Sequence, residues 1–375
     1  MELNFASALL AIVVFQLFLI AFFLFSNRKG KRQSNFLLGT FFLMVGISML
    51  DMWLSVHGLY IHYARFAFLD DGFILALGPV ILLYTRTIMY DDYSVSRSSL
   101  AHFIPFLIIT AYFVLVSFTP SPEEQKQMIE DVQNFKLPPI LNLVGISFYI
   151  HSLVYLFLSF REVRSYSDRI REEYSSTDRM NIEWLDFTIK SLGVLILLAI
   201  INAIIPYSSS RAFGPLVTLA FIGFLFYFAN RVILKGLMQP NLFNGISSIN
   251  SQKYSSSSLT NEERASYKDK LSTRMKTDKP YLDPDLTINQ LAETIEVSAR
   301  TLSQVINQSY QKSFFDFINT YRVEEAKKLF DSSQDEKMTI QEVMYQSGFN
   351  SKSSFNTFFK KVTGMTPSEY KNSLK

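Results

Sequence analysis

Between Phe5 and Ser26 the chain carries no charged residue. The hydrocarbon core of a bilayer, about 30 Å thick, is crossed by a helix of roughly 20 mostly apolar residues. Seven stretches have that character, near 5–26, 36–56, 72–89, 101–119, 139–160, 187–207 and 213–234. A large water-soluble helical core would need polar faces at helical spacing, and the first, fourth and seventh stretches lack them. Asp51 falls near one end of the second stretch. Lys190 lies at the start of the sixth, where its long stem can carry the ammonium to the headgroups. The pairs Gly78-Pro79 and Gly214-Pro215 suit a membrane bundle, which tolerates helix breakers. Composition divides the chain at the same place. Residues 1–235 hold 35 charged residues and 26 of the 35 Phe, whereas the 140 residues from 236 onward hold 34 charges.

Lysine and arginine in the connections set the expected orientation. The connections after spans 1, 3, 5 and 7, counted with Lys190, hold 14 of them, including Arg28, Lys29, Lys31, Arg32 and the run Arg161, Arg164, Arg169, Arg171, Arg179. The alternate connections hold 4: Arg65, Lys126, Lys136 and Arg211. The asymmetry predicts an N-terminus outside and a C-terminal half in the cytoplasm, hence a multi-pass protein of the inner, cytoplasmic membrane. Without a basic segment ahead of it, the first span reads as an anchor rather than a cleaved signal peptide.

Several chemistries are excluded early. Cysteine is absent, which removes disulfides, thiol nucleophiles and thiolate metal sites. The four histidines (57, 62, 102 and 151) all lie in the apolar half. Asp51, His57, His62, Asp70 and Asp71 gather around the outer ends of spans 2 and 3. They read either as a metal or proton site or, more simply, as interfacial polar residues. His151 reads as an interhelical hydrogen bonder. The seventh span has no lysine between Phe213 and Asn230, so a retinal Schiff base has no place there. No Walker A loop, kinase motif or nucleophile–His pair occurs in the polar half. The expectation is therefore no enzyme, no cofactor and no metal.

Residues 236–258 are rich in Ser, Asn and Gln, with the run Ser255–Ser258, and read as a flexible linker. Thr260-x-x-Glu263 then offers a capping-box helix start, and the helix is stopped by Lys279-Pro280 and Asp283-Pro284. Two segments with one pattern follow. Thr287 caps a helix with apolar Ile288, Leu291, Ala292 and Ile295; a turn at Glu296-Val297 leads to the cap Ser298 and a helix with Leu302, Val305 and Ile306. Thr339 caps Ile340, Val343 and Met344; Gly348-Phe349 turns to the cap Ser351 and a helix with Phe355, Phe358 and Phe359. Each is helix-turn-helix spacing, at about 287–308 and 339–361. Between them Phe314–Phe330 reads as one long amphipathic helix.

The runs Leu286–Glu293 and Val297–Leu302, with Gly348–Phe355, Phe358–Lys361, Gly364–Pro367 and Tyr370, resemble the AraC/XylS-type DNA-binding domain. The resemblance covers about 281–375. The apolar half, with Leu77-Gly-Pro79 and His102-Phe-Ile-Pro105, is similar to the multi-span module of the membrane-bound members. The family usually carries Gly where this chain has Glu296, and a small Ala where Met344 stands.

In a helix-turn-helix motif the second helix enters the major groove with its N-terminal residues toward base edges. That places Arg300, Thr301, Ser303, Gln304 and Asn307 of the first motif, and Lys352, Ser353, Asn356, Thr357 and Lys360 of the second, on the DNA-facing side. Ser298 and Ser351, at helix N-termini, are expected near phosphates. Against this, residues 281–375 hold 11 basic and 12 acidic residues, not the basic footprint of a strong nonspecific binder.

The expectation is an all-α protein in three parts: a seven-helix transmembrane sensor or anchor over 1–235, a linker over 236–258, and a cytoplasmic two-motif domain over 259–375. It would be a membrane-bound one-component transcriptional regulator. Its partners would be double-stranded DNA, the lipid bilayer, a second copy of itself and an unidentified small-molecule or membrane signal. The rival reading is a receptor or transporter-like protein whose helical tail docks a protein.

Overall fold

The computed structural model describes residues 5–27, 31–59, 69–90, 93–133, 139–176, 182–205, 213–238, 259–332 and 338–374. Most of the 236–258 linker, together with His62, Arg28, Lys29, Arg65, Lys136, Arg179 and Arg211, lies outside them. Among the described residues the regular structure is helical, apart from one isolated antiparallel bridge between Tyr174 and Thr287. The chain forms two compact units, Met1–Val163 with Glu183–Asn250, and Arg164–Ile182 with Ser251–Lys375.

The first unit contains α1 (Phe5–Ser26), α2 (Arg32–Val56), α3 (Phe73–Met89), a 3-10 turn (Arg97–Phe103) running into α4 (Ile104–Phe118), α5 (Pro122–Gln133), most of α6 (Pro139–Glu173), α7 (Ile182–Ile204) and α8 (Gly214–Met238). Among the described residues six helical stretches are long and apolar enough to cross a membrane: α1, α2, the run Arg97–Phe118, α6, α7 and α8. The third expected span is a shorter apolar helix, α3, of 17 residues. Their outward faces are apolar, with Phe15 67% and Phe22 70% exposed, surface that water would penalise and lipid accepts.

Close packing within this unit uses small residues and inward polar pairs, as membrane bundles do. Gly78 of α3 meets α6 so closely that a Cβ there would stand 2.7 Å from the Cβ of Tyr155. Arg86 of α3 pairs with Glu162 of α6 at 2.7 Å, and Trp184 Nε1 of α7 donates to Tyr84 Oη of α3 at 2.9 Å. Lys31 Nζ donates to the carbonyls of Thr87 (2.9 Å) and Tyr90 (2.6 Å), satisfying orphan acceptors at the end of α3.

Two elements differ from the sequence expectation. The acidic connection around 120–138 contains α5, started by Ser121, whose N–H and hydroxyl both donate to Glu124 Oε2. The fifth apolar stretch, expected to end near 160, continues as helix to Glu173. At 1.5 Å per residue α6 is about 50 Å long, well over the bilayer core. Apolarity marks where a span can lie and leaves open where its helix stops.

The second unit contains α9 (Asn261–Thr277), a 3-10 turn (Pro280–Leu282), α10 (Ile288–Thr294), α11 (Ala299–Tyr310), α12 (Phe314–Ser332), α13 (Ile340–Gln346), α14 (Lys352–Thr363) and α15 (Pro367–Ser373). It has two hydrophobic cores that share α12. Phe314, Phe317 and Ile318 of α12 join Leu271, Met275, Leu291, Leu302 and Ile306 in the first. Val323, Ala326 and Phe330 join Val343, Met344, Phe355, Phe358 and Phe359 in the second.

Candidate nucleic-acid interface

Each helix of the two motifs starts on the cap expected from sequence. Thr287 and Gln290 form a capping box at α10, and Thr339 and Glu342 form one at α13. The Ser298 hydroxyl accepts from the N–H of Thr301, and that of Ser351 from the N–H of Ser354. Each cap satisfies a backbone donor that the helix itself cannot.

The two turns share their two closing bonds. Glu296 N–H donates to Glu293 O (3.2 Å) and Val297 N–H to Ala292 O (3.1 Å); Gly348 N–H donates to Tyr345 O (3.1 Å) and Phe349 N–H to Met344 O (3.1 Å). This is the Schellman arrangement, whose C′ residue is left-handed. Gly348 has φ +89 and Glu296 φ +58. The glutamate therefore keeps the glycine geometry, at a cost of about 1–2 kcal/mol for an L-residue. At Gly348 there is a second constraint: a Cβ would lie 2.5 Å from Tyr281 O and 3.1 Å from Arg322 Nε. Met344, where the family has a small residue, is buried in the second core.

With Leu302, Val305 and Ile306 turned inward, α11 presents Arg300 and Asn307 exposed and Thr301, Ser303 and Gln304 half-buried. With Phe355, Phe358 and Phe359 inward, α14 presents Lys352, Ser353, Thr357 and Lys360 exposed and Asn356 half-buried. Gln304, Lys352 and Thr357 have no hydrogen-bond partner among the described residues. Ser298 is exposed and Ser351 half-buried, and both hydroxyls are committed to their own helices. Lys361, one position beyond the expected set, is held by Asp316 at 2.8 Å and lies 5.0 Å over the Phe358 ring.

Between the motifs lies Arg322 of α12, 1% exposed. Its Nε donates to Tyr281 O (2.7 Å) and its Nη2 to Asp283 O (2.7 Å), so one guanidinium fork ties α12 to the segment that leads into the first motif. The signal for it was available, because Arg322 stands four residues from both Ile318 and Ala326 in the apolar stripe. Nearby, Glu325 accepts from Lys279 (2.6 Å) and Tyr281 Oη (3.1 Å). Burial works to raise its pKa, and the Lys279 and Tyr281 hydrogen bonds outweigh it, holding the carboxyl below its ordinary range.

Ser303 and Asn307 do have a partner. Ser303 Oγ donates to Glu172 Oε2 at 3.0 Å and Asn307 Nδ2 to the same oxygen at 3.2 Å. Glu172 was not visible as a site residue, because a charged run after a span carries no local sign of what it touches. In the first unit His57 is occupied by Ser7 Oγ (2.9 Å) and Trp53 O (2.7 Å). Among the described residues no group of three or more His, Asp or Glu is arranged to hold a metal ion.

A family model described as "Helix-turn-helix domain" matches residues 291–373. An uncharacterised HTH-type transcriptional regulator of Staphylococcus aureus (strain COL) is 36% identical over 91 residues, 24% of this chain and 12% of that protein. Another from Pseudoalteromonas carrageenovora, in the cgkA 5′ region, is 32% identical over 90 residues, 24% of this chain and 51% of that protein. The chain thus spans about an eighth of the first relative and half of the second. The C-terminal domain of AraT, a response regulator from Geobacillus stearothermophilus, is 28% identical, with 28% of this chain and 84% of that one covered, and a TM-score of 0.25, too low to support a structural argument. With two matched helix-turn-helix motifs joined by α12 and this family match, the C-terminal part of the chain is an AraC-type helix-turn-helix domain, preceded by several long apolar helices.

Proposed function

We propose that the protein is a transcriptional regulator held in the cytoplasmic membrane, which binds specific DNA through both motifs under control of its N-terminal bundle. The observation that carries this reading is the pair of motifs closed by the same two Schellman bonds, each presenting polar side chains on its second helix. The relatives are named as transcriptional regulators, and the long apolar helices fit a multi-pass anchor. In this reading the bundle comprises seven spans with α3 as the third, the N-terminus is outside, and residues 259–375 are cytoplasmic. The 14-to-4 distribution of Lys and Arg supports that orientation. A reporter active only in the cytoplasm should be active when fused after Lys235 and silent in the 120–138 connection. The reverse pattern overturns the reading.

The DNA-facing residues are Arg300, Thr301, Ser303, Gln304 and Asn307 in the first motif and Lys352, Ser353, Asn356, Thr357 and Lys360 in the second. Arg and Lys suit guanine O6 and N7, and Gln or Asn suits adenine N6 and N7. The N-termini capped by Ser298 and Ser351 face phosphates. Arg300→Ala and Gln304→Ala are expected to weaken specific binding by about 1–3 kcal/mol each, at one end of the site. Lys352→Ala should act about 10 base pairs away, one helical turn along. A mobility-shift series with operator variants reads both effects, and equal affinity of all three variants refutes the assignment. The near-balanced charge of residues 281–375 favours pairing of two chains in the membrane. Fusion of 259–375 to an unrelated dimerising module should then raise its affinity for the operator.

A further inference from the structure

Residues Arg164–Ile182 belong to the second unit although about 70 residues of chain separate them from the rest of it. They are the end of α6 and the segment after it, and they are held at several points. Tyr174 bridges Thr287, and Ser175 N–H donates to Leu286 O at 3.1 Å. The Ser175 carbonyl accepts from Asn319 Nδ2 and from Arg322 Nη1, each at 3.0 Å, and its hydroxyl accepts from Arg322 Nη2 at 3.0 Å. Arg171 lies 5.7 Å over the Phe315 ring. Ser176 Oγ donates to Asn350 Oδ1, in the turn of the second motif, at 3.4 Å. Ahead of this anchor, Glu172 takes the hydrogen bonds of Ser303 and Asn307.

We infer that the 171–176 segment is an internal ligand of the DNA-reading surface, anchored through Ser175 on Arg322 and closing the first motif through Glu172. The inference rests on the proposed reading that α11 faces DNA. A carboxylate only accepts hydrogen bonds, so while Glu172 is seated it consumes donors that Ser303 and Asn307 would offer to a base. Its negative charge also stands where DNA would bring phosphates, whose attraction supplies much of the binding free energy. Binding then requires Glu172 to leave, and apparent affinity falls by the fraction of molecules in which it has left. Glu172 sits on a helix that is continuous from Pro139. A shift or rotation of that helix moves the carboxylate with it, so a change in the fifth span can alter DNA binding without passing through the 236–258 linker.

The test uses the full chain in lipid nanodiscs. The probe is a duplex recovered from a random-sequence library by the Glu172→Ala protein, and anisotropy reads its binding. Glu172→Ala should bind that duplex about tenfold more tightly than the unmodified chain. Since the chain has no cysteine, Ser176→Cys with Asn350→Cys can be joined by a short bis(methanethiosulfonate) reagent, each cysteine thiolate displacing methanesulfinate to leave a reducible disulfide. Linked protein should bind much more weakly than the same protein after reduction. Equal binding by Glu172→Ala and the unmodified chain, or by linked and reduced protein, overturns the inference. Arg300→Ala in the Glu172→Ala background separates the two ideas. If it weakens binding while Glu172→Ala gains nothing, only the internal ligand falls. If it has no effect, the DNA-facing assignment falls and takes the internal ligand with it.

Discussion

The two helix-turn-helix motifs share a backbone and differ in the side chains that hold it. The second motif puts glycine at its left-handed turn and a charged glutamate in its first capping box, Glu342. The first puts a glutamate in the left-handed turn and a neutral glutamine, Gln290, in the box. The Schellman turn is therefore dictated by hydrogen bonding and by the hydrophobic residues on either side, and glycine only lowers its cost. At Gly348, packing against Tyr281 and Arg322 makes the small residue obligatory. At Glu296, which is exposed, conformational strain is the whole penalty.

The largest effect is expected where the motifs meet. Arg322→Met leaves the carbonyls of Tyr281, Asp283 and Ser175 without this donor and should cost about 3–5 kcal/mol. Hydrogen exchange on the full chain should show protection lost in both motifs. Loss confined to one would mean that Arg322 supports that motif alone.

Gly348→Ala comes next. Overpacking and the left-handed φ together should cost about 2–4 kcal/mol, seen as faster exchange in α13 and α14. The matching change in the first motif, Glu296→Ala, should stay within about 0.5 kcal/mol, because it changes neither φ nor packing. Similar penalties at the two sites would break the contrast. Glu296→Gly should raise the stability of the first motif by about 0.5–1 kcal/mol, the relief of strain less the entropy of glycine.

The smallest effect concerns acid. The N–H and hydroxyl of Thr339 donate to Glu342 and hold its pKa below the ordinary value. A lowered folded-state pKa contributes stability that is complete above the unfolded carboxylate range, about 4.3, and is lost as pH falls through the lower folded value. The start of α13 should therefore fray on acidification below about pH 4 before the start of α10, whose box is built on Gln290. Glu342→Gln should bring the two into line. Exchange at the first-turn amides of each helix, followed from pH 6 to 3, reads the difference.

Most of the second unit was legible in its sequence. Cap residues stand at the boundaries of α9, α10, α11, α13 and α14, and the apolar residues assigned to the motif helices face one of the two cores, apart from Val305, which is buried without belonging to either. These are local signals: a cap acts within four residues and an apolar stripe within one helix. The apolar stretches of the first unit were legible by length and composition, while the end of α6 and the short helix α5 were not. Apolarity does not encode where a helix stops once it has left the apolar stretch. On the candidate DNA-facing surface the sequence supplied the residue types on α11 and α14, and nothing in it pointed to Glu172.

By itself, then, the sequence determined the two motifs, their turns and the apolar helices, because each depends on residues a few positions apart. Tertiary structure alone decided which groups from distant parts of the chain come together: Arg322 on the carbonyls of Tyr281 and Asp283, Gly348 against Tyr281, and Glu172 on Ser303 and Asn307. Contacts between groups 39 to 135 residues apart leave no period and no spacing in a sequence. They exist only once two separately formed elements have packed, and their geometry is fixed by that packing.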